Sequence, residues 1–233
     1  MRKNLAKTKS NFSIQSFEGG YDKNYSYLLS CLETNSSIIV DASLELSKLQ
    51  PFIKTRPAAI LITHSHHDHI KYVNEYTEKY PEIKVIGHPK SKLNNTSESN
   101  YLPMEDSSVF KLGDLEIKTI HTPGHYYDSV CYLVDNVIFT GDTLFIGRTG
   151  RTLSKGSNIS DLYNSVYKKL LTLPGSTIIY PGHNYGSKPT MTMNENIKIS
   201  NLLQASGEKD FINRMKNYEK TSCLLYTSPS PRD

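Results

Sequence analysis

Residues 58–69 read AAILITHSHHDH and join a run of apolar side chains to a dense group of histidines. The run AAILIT has the length and continuous apolar character of a buried β-strand. His64 and His66 stand two residues apart directly after it, so their side chains project to the same side of an extended chain and can bind one metal ion. Asp68 and His69 follow where the chain bends and can face another ion. Because the 233 residues include only 8 histidines, this concentration favours a metal site over a structural origin.

Three further segments place nitrogen and oxygen ligands directly after predicted strands. His125 closes HTPGH, Asp142 lies in TGDT, and His183 lies in PGH. Each residue alone has an ordinary interpretation, because Pro-Gly and Gly-Asp are common turn sequences. Together with the first group they supply three more metal ligands at strand ends, where a rigid scaffold can hold them.

The motifs THSHHDH, HTPGH, GDTLF and YPGH, in this order, resemble those of the metallo-β-lactamase superfamily. The resemblance covers about residues 12–218. It implies an α+β fold, an αβ/βα four-layer sandwich of two mixed β-sheets flanked by helices, with the metal site at one edge between the sheets. The implied ligands are His64, His66 and His125 for the first metal, Asp68, His69 and His183 for the second, and Asp142 as the bridge.

Such a site suits a hydrolase. Two divalent ions a few Å apart can share a water molecule, lower its pKa from 15.7 to about 7 and stabilise negative charge on a substrate oxygen. A metal-bound hydroxide is then available near neutral pH, and Asp68 is predicted to orient it as a catalytic residue. Asp41 follows the apolar run IIV. It is predicted either to hydrogen-bond a ligand imidazole from outside the metal shell or to be a strand-end turn residue.

Two longer segments, GDTLFIGRTGRT and SVYKKLLTLPGSTIIYPGHNYG, most resemble glyoxalase II, the hydroxyacylglutathione hydrolase, and its relatives the persulfide dioxygenases. Both act on glutathione derivatives. The resemblance implies that Arg151 holds a glutathione carboxylate, that Tyr185 contacts glutathione and that Arg148 assists. The alternative for the two arginines is a solvated loop, although a bidentate grip on carboxylate favours binding.

The sequence also departs from glyoxalase II. Leu153 stands where that enzyme usually has an aromatic donor, and the C-terminal region is too short for the helical domain that completes its glutathione site. The region NYGSKPTMTMNENIK resembles compact bacterial hydrolases and dioxygenases more closely. These departures bear on the substrate and not on the metal ligands.

Two enzymatic functions follow. The first is a hydrolase that cleaves a glutathione thioester with two divalent ions. Zinc is the expected metal, and iron or a mixture of zinc and iron is the alternative. The second is a persulfide dioxygenase with a single iron, for which the resemblance assigns His64, His125 and Asp142. Two histidines and one carboxylate with open positions suit non-haem iron. A metallo-nuclease of the same fold would need a nucleic-acid module or a basic groove, and the sequence shows neither.

Composition restricts the partners and the compartment. The net charge of +4 comes from scattered lysines, so nucleic acid is not an expected partner. No apolar run approaches the ~20 residues of a membrane helix, so no membrane partner is expected. Cys31, Cys131 and Cys223 show no close spacing, which predicts no disulfide framework and favours the cytoplasm. An organellar targeting segment is the alternative, since residues 1–17 lack acidic side chains. The oligomeric state is not indicated.

One domain is predicted over residues 12–220, between a flexible N-terminus at 1–11 and a disordered tail at 221–233. The tail lacks a helical or strand period and contains Pro229 and Pro231. It also resembles the translation of adapter sequence at the end of an assembled transcript, so non-native sequence is the alternative to a native tail.

Periodicity and turn residues predict the elements within this domain. Strands are predicted at 12–17, 25–29, 37–41, 58–63, 83–88 and 176–183, with hairpins turning at Gly113-Asp114 and Asp135-Asn136. Helices are predicted at 44–55, 72–80, 160–172 with Ser160 as the cap, 194–205 and 208–218. A polar loop is predicted at 91–100.

Overall fold

The computed structural model describes residues 11–93 and 100–226, with side chains described up to Thr221. The strands of the first sheet are β1 Phe12–Gly19, β2 Asn24–Cys31, β3 Ser37–Val40, β4 Ala59–Leu61, β5 Lys84–Gly87 and β6 Tyr101–Pro103. The strands of the second sheet are β7 Val109–Leu112, β8 Leu115–His121, β9 Val130–Val134, β10 Val137–Gly141, β11 Ile178–Pro181 and β12 Met191–Thr192. The helices are α1 Leu46–Leu49, α2 His67–Ile70, α3 Val73–Lys79, α4 Ile159–Tyr163, α5 Met193–Ile199 and α6 Glu208–Tyr226.

Both sheets are mixed. In the first sheet the strands lie in sequence order, β1 to β3 antiparallel and β3 to β6 parallel. In the second sheet β7 to β10 are antiparallel, β10 and β11 are parallel, and β12 lies antiparallel at the edge. Both predicted hairpins are confirmed by the antiparallel pairings of β7 with β8 and of β9 with β10.

The core explains the order of the layers. Alternate residues of β2 face opposite sides of the sheet, so Tyr27 and Leu29 pack between the sheets while Leu28 packs under the helices of the first sheet. Tyr76 of α3 belongs to that same helix-facing cluster. On the far side, Phe211 of α6 packs with the outer face of the second sheet. The order is helices, sheet, sheet, helices, which confirms the predicted four-layer sandwich.

Several predicted elements have different bounds. The helix predicted at 44–55 is short, because Pro51 lacks an amide hydrogen and residues Gln50–Phe52 form a 3-10 turn. The cap of α4 is Asn158 and not Ser160, since the Asn158 side chain accepts hydrogen bonds from the backbone of Ser160 and Asp161. After α4 the chain continues as a π-helix over Asn164–Leu170.

The C-terminal helices also differ from their predicted bounds. The helix predicted at 194–205 divides at Ser200, whose backbone is extended, into α5 and a 3-10 turn at Asn201–Gln204. Helix α6 continues to Tyr226, so the predicted disordered tail is wrong for residues 221–226. Thr221 hydrogen-bonds the carbonyl oxygen of Asn217 at 2.9 Å, and no proline occurs before Pro229 in this part of the sequence. Residues 1–10, residues 94–99 of the predicted polar loop and residues 227–233 lie outside the described residues.

The described part of the chain contains no helix long and apolar enough to cross a membrane. Cys31 and Cys131 are buried free thiols. Burial raises the pKa of Cys131 to about 12, so this thiol stays protonated in the core. The side chain of Cys223 lies outside the described residues.

Candidate metal centre

The predicted ligands meet where the carboxyl ends of central strands in both sheets come together. The His64 to His69 segment follows β4, Asp142 follows β10, and His183 follows β11. β10 and β11 are parallel neighbours, so Asp142 and His183 leave the second sheet side by side. Backbone hydrogen bonds join the two sheets at this edge, from Val130 to Thr63 at 2.7 Å and from Tyr25 to Gly182 at 2.8 Å.

Gly182 is required by this close approach. A Cβ atom at this position would lie 2.4 Å from Oδ1 of Asp142 and 2.9 Å from Cε1 of His69. A larger residue would therefore displace two of the predicted ligands. The Pro-Gly-His motif accordingly has a steric function beyond its turn chemistry.

The first group of donor atoms consists of three histidine nitrogens. Nδ1 of His66 lies 2.9 Å from Nε2 of His64 and 3.0 Å from Nε2 of His125. His64 is fully buried, whereas His66 and His125 are partly exposed towards a cavity. We call these three residues the first triad.

The second group combines two histidines and a carboxylate. Nε2 of His69 lies 3.3 Å from Nε2 of His183, and Oδ2 of Asp68 lies 3.6 Å and 3.4 Å from these two nitrogens. We call Asp68, His69 and His183 the second triad. Asp142 reaches both triads, with carboxylate oxygens 3.6 Å from Nε2 of His125, 3.3 Å from that of His69 and 3.4 Å from that of His183.

Hydrogen bonds on the far side of the imidazoles orient the lone pairs towards the cluster. Asp41 accepts a hydrogen bond from Nδ1 of His69 at 2.8 Å, so Nε2 of His69 is left facing the other ligands. Asp41 also accepts the hydroxyl hydrogen of Thr63 at 2.8 Å. Since that hydroxyl has one hydrogen, its contact of 3.2 Å to Nδ1 of His64 requires His64 to donate. His64 therefore also carries its lone pair on Nε2.

Backbone carbonyl groups orient two more histidines in the same way. Nδ1 of His125 donates to the carbonyl oxygen of Arg151 at 2.8 Å, and Nδ1 of His183 donates to that of Asp22 at 2.9 Å. A carbonyl oxygen only accepts, so the proton must lie on Nδ1 in both rings. Such outer hydrogen bonds fix the tautomer and orientation of metal-binding histidines in proteins.

The residues present fit a centre of two divalent ions. Three overlapping groups of residues each have their ligand atoms within 4.8 Å of one another. The groups are His64, His66 and His125; His64, His69 and Asp142; and Asp68, His69 and His183. Oδ1 of Asp142 is buried and has no hydrogen-bond partner among the described residues. Imidazole nitrogen and carboxylate oxygen are the ligands that zinc and iron accept.

The two triads differ in charge in the metal-free protein. Burial lowers the pKa of His66 to about 4, and the nearby His125 lowers it further in the same direction. Burial also holds the pKa of His64 and of His125 below the usual range. For His183, burial opposes protonation, but the Asp142 carboxylate outweighs it and raises the pKa to about 9. The imidazoles of the first triad are therefore neutral at pH 7, whereas that of His183 in the second triad is positively charged.

Asp68 is fixed in its ionised form. Burial opposes ionisation, but hydrogen bonds from His183 and Asn24 and the charge of His69 outweigh it and hold the pKa of Asp68 well below its usual value. Nδ2 of Asn24 donates to Oδ2 of Asp68 at 3.0 Å. Asn24 begins β2, far from every motif in sequence, and an isolated β-bridge to His183 joins it to the site.

The cluster opens into a cavity of about 790 Å³. Its lining includes Arg151 and Tyr185, two of the three residues predicted to contact substrate, together with Leu153 and the exposed Tyr21. Arg151 is exposed and forms no ion pair within the described residues. The ring of Tyr185 stacks on that of His183, with ring centres 4.8 Å apart and planes at 5°.

Arg148, the third predicted substrate residue, is not among the residues that line the cavity. Its guanidinium group lies 4.0 Å from the centre of the Tyr185 ring and donates a hydrogen bond to the hydroxyl of Tyr218. The structure thus places Arg148 behind Tyr185. Arg148 and Tyr218 support the wall of the cavity and do not form its surface.

Helix α6 supplies a further contact that the sequence did not predict. Glu219 accepts hydrogen bonds from the backbone nitrogen and the hydroxyl of Thr152, the latter at 3.0 Å. This contact anchors the loop that carries Arg151. No short motif signals it, because 67 residues separate the partners.

Comparison with known proteins agrees with this geometry. The sequence model of the metallo-beta-lactamase superfamily matches residues 19–183. The chain is 33% identical over 215 residues to "Probable hydroxyacylglutathione hydrolase glo2" of Schizosaccharomyces pombe, covering 87% of the chain and 78% of the relative. It is 30% identical over 193 residues to "Probable polyketide biosynthesis zinc-dependent hydrolase BaeB" of Bacillus velezensis, covering 82% of the chain and 86% of the relative. The crystal structure of ETHE1 from Myxococcus xanthus superposes with a TM-score of 0.77 at 26% identity, covering 94% of this chain and 93% of that one.

The chain therefore belongs to the metallo-β-lactamase superfamily. Within it, the relatives confirm the predicted branch that contains glyoxalase II and the persulfide dioxygenases. The protein is an enzyme of this superfamily and has a hydrolase or related activity. Its clustered histidines and aspartates support binding of divalent metal.

Proposed function

We propose that the protein is a hydrolase with two divalent metal ions that cleaves a glutathione thioester. One observation carries the proposal, namely that the donor atoms divide into two complete triads with Asp142 in reach of both. In the proposed site, His64, His66 and His125 hold one ion, Asp68, His69 and His183 hold the other, and Asp142 bridges them. Zinc is proposed because imidazole and carboxylate ligands suit it and because the BaeB relative is named a zinc-dependent hydrolase.

Hydrolysis breaks the C–S bond of the thioester, forms a C–O bond to the oxygen of water and yields a carboxylate, a thiol and a proton. When bound, the two ions lower the pKa of water and stabilise negative charge on the acyl oxygen. Asp68 is ionised and held by Asn24, so it can accept a hydrogen bond from the attacking water and orient it. Its low pKa makes it a poor place for the proton to stay, which favours an orienting role over that of a base.

Substrate contacts are proposed on the cavity wall beside both triads, with Arg151 next to His125 and Tyr185 next to His183. Arg151 has its carbonyl oxygen fixed by His125 and its guanidinium group free of carboxylate partners among the described residues, so it can hold a glutathione carboxylate. Tyr185 lines the cavity, stacks on His183 and donates its hydroxyl hydrogen to Asp22, so its ring is held in a fixed position. The similarity to the hydroxyacylglutathione hydrolase relative supports this substrate class.

A persulfide dioxygenase with a single iron is the second candidate. The match to ETHE1 over almost the whole chain supports it, and the ligands would be His64, His125 and Asp142. In this candidate the second triad would bind no metal. The two candidates therefore differ in the number of ions, and a change at the second triad separates them.

The deciding experiment removes His69. Wild-type protein purified without oxygen is expected to contain about two divalent ions, and His69→Ala about one, since the second triad loses a ligand. Hydrolysis of a glutathione thioester is expected to fall by orders of magnitude. His67→Ala is the matched control, because His67 is the exposed neighbour in the same motif and belongs to neither triad, so its metal content should equal that of the wild type.

Metal analysis and two assays give the answer. The assays measure thioester hydrolysis and oxygen consumption with glutathione persulfide. A wild type that holds one iron, which His69→Ala does not displace, would reject the dinuclear hydrolase and support the dioxygenase.

A further inference from the structure

The first triad contains one histidine that is oriented differently from the others. Four of the five clustered histidines have the nitrogen opposite the cluster fixed by an oxygen atom, at 2.8 to 3.2 Å. For His66, Nδ1 faces the cluster, and Nε2 has no hydrogen-bond partner among the described residues. Its ring is also partly exposed to the cavity. No hydrogen bond among the described residues therefore fixes the outer side of this ring.

An aromatic side chain packs against the His66 ring. The ring centre of Tyr126 lies 4.2 Å from that of His66, with the planes tilted by 42°. Such a distance is short for two aromatic rings, which pack with centres about 4.5–7 Å apart. Tyr126 directly follows His125, so the same loop supplies one ligand of the first triad and the support for another.

Tyr126 also contacts Tyr127 and the turn at Gly156. The ring centre of Tyr127 lies 4.4 Å away, and the turn at Gly156 packs against both tyrosines. A Cβ atom at Gly156 would lie 3.0 Å from Tyr127 and 3.1 Å from Tyr126, and the residue has a φ of +97°. Only glycine meets both conditions without strain. The Tyr126 ring is thus confined between the Gly156 turn and the His66 imidazole.

We propose that Tyr126 is a positioning residue that orients His66 and thereby increases the metal affinity of the first triad. The proposal rests on the metal centre of the proposed function. The same site uses an aromatic ring in this way at His183, where Tyr185 stacks in addition to the hydrogen bond that His183 donates to the carbonyl oxygen of Asp22. At His66 no hydrogen bond among the described residues accompanies the Tyr126 ring, so removal of this ring is expected to have a larger effect. Outer partners of metal-binding histidines typically change metal affinity by about 10- to 100-fold.

The test isolates the first triad by using the His69→Ala background, in which the second triad lacks a ligand. Metal-free protein is titrated with cobalt(II) and zinc(II) in competition with a chromophoric chelator. Tyr126→Ala is expected to weaken binding by about 10- to 100-fold and to change the ligand-field absorption of cobalt. Tyr126→Phe keeps the ring and is expected to bind as the background does. Tyr126→Leu keeps much of the apolar volume without the ring and is expected to resemble Tyr126→Ala.

Two controls separate positioning from a general loss of structure. Tyr21→Ala removes a tyrosine that is 78% exposed at the cavity rim and that has no ring contact or hydrogen bond to a clustered histidine among the described residues, so metal affinity should not change. Thermal unfolding of each metal-free variant shows whether it is folded, and Tyr126→Leu covers the case in which the alanine variant is not.

The outcomes distinguish this inference from the proposed function. Equal metal affinity of Tyr126→Leu, Tyr126→Phe and the His69→Ala background would overturn the role of Tyr126 while leaving the dinuclear centre intact. A wild type that binds no divalent ion would overturn both. Weakened binding in Tyr126→Ala and Tyr126→Leu, with Tyr126→Phe unaffected, supports the proposal.

Discussion

Asp41→Asn tests how far the hydrogen bonds behind the ligands determine metal binding. Asp41 is 2% exposed and accepts three hydrogen bonds, from the backbone nitrogen and hydroxyl of Thr63 and from Nδ1 of His69, each at 2.8 Å. Its backbone has a φ of +56°, a conformation that asparagine tolerates well. The substitution therefore keeps the size of the side chain and the backbone geometry, and changes only the hydrogen-bonding chemistry.

The structure sets the magnitude of the effect. If the amide oxygen of the new side chain still accepts the hydrogen bond from the Thr63 backbone, the amide NH₂ takes the place of Oδ2. In the wild type, Oδ2 accepts hydrogen bonds from the Thr63 hydroxyl and from Nδ1 of His69. The NH₂ then opposes the N–H of His69. One buried hydrogen bond to a charged group is lost, about 1.5–3 kcal/mol, which corresponds to about 10- to 100-fold in affinity.

The change also reaches the first triad. An amide NH₂ donates to the Thr63 hydroxyl, which frees the hydroxyl hydrogen to point at Nδ1 of His64. His64 would then carry its proton on Nε2, facing the cluster. We therefore expect Asp41→Asn to weaken both metal sites, unlike His69→Ala, which weakens only the second.

Chelator competition measures both affinities, and thioester hydrolysis measures the consequence. Asp106→Asn is the matched control, since Asp106 is an exposed carboxylate that pairs with Lys169 away from the cluster. Wild-type affinity for both ions in Asp41→Asn would refute the reasoning. Weakening of the second site alone would refute the step through Thr63.

Three other predictions follow from charge. The pKa of His66 is lowered to about 4 and that of His183 is raised to about 9, so protons compete with metal at the second triad over a higher pH range than at the first. With zinc buffered by a chelator, the protein should therefore bind near one ion at about pH 6 and near two at about pH 9. Equal zinc content at both pH values would contradict this. The free energy of unfolding of the metal-free protein should fall over the same pH interval. The pKa of His183 is about 9 in the folded protein and about 6.5 in the unfolded chain, so its protonation stabilises the fold fully below about pH 6.5, and this contribution is lost as the pH rises towards 9. Arg151→Ala should raise the KM for a glutathione thioester and spare kcat, because it removes binding that is equal in the ground state and the transition state. Arg56→Ala is the control, since it only breaks a surface ion pair with Glu82 and should change neither constant. A fall in kcat at constant KM would contradict the role of Arg151.

The sequence predicted those parts of the site that depend on local order. The residues of both triads lie in short motifs at strand ends, and parallel pairing of β3 with β4 and of β10 with β11 brings these ends together. For Asp41 the sequence alone allows either a hydrogen-bonding role or a turn role. The structure shows that both features coexist, since Asp41 bonds His69 and has a positive φ. A strand-end aspartate with left-handed backbone can fulfil both roles at once.

What the sequence could not predict is the set of partners that come from far along the chain. Asn24 reaches Asp68 across 44 residues, and Glu219 reaches Thr152 across 67. Hydrophobic periodicity reports which face of an element is buried, and it contains no information on which polar side chain lies opposite a given ligand. Arg148 illustrates the consequence. Its position in the motif predicted a substrate contact, whereas the hydrogen bond to Tyr218 of α6 turns its guanidinium group behind Tyr185.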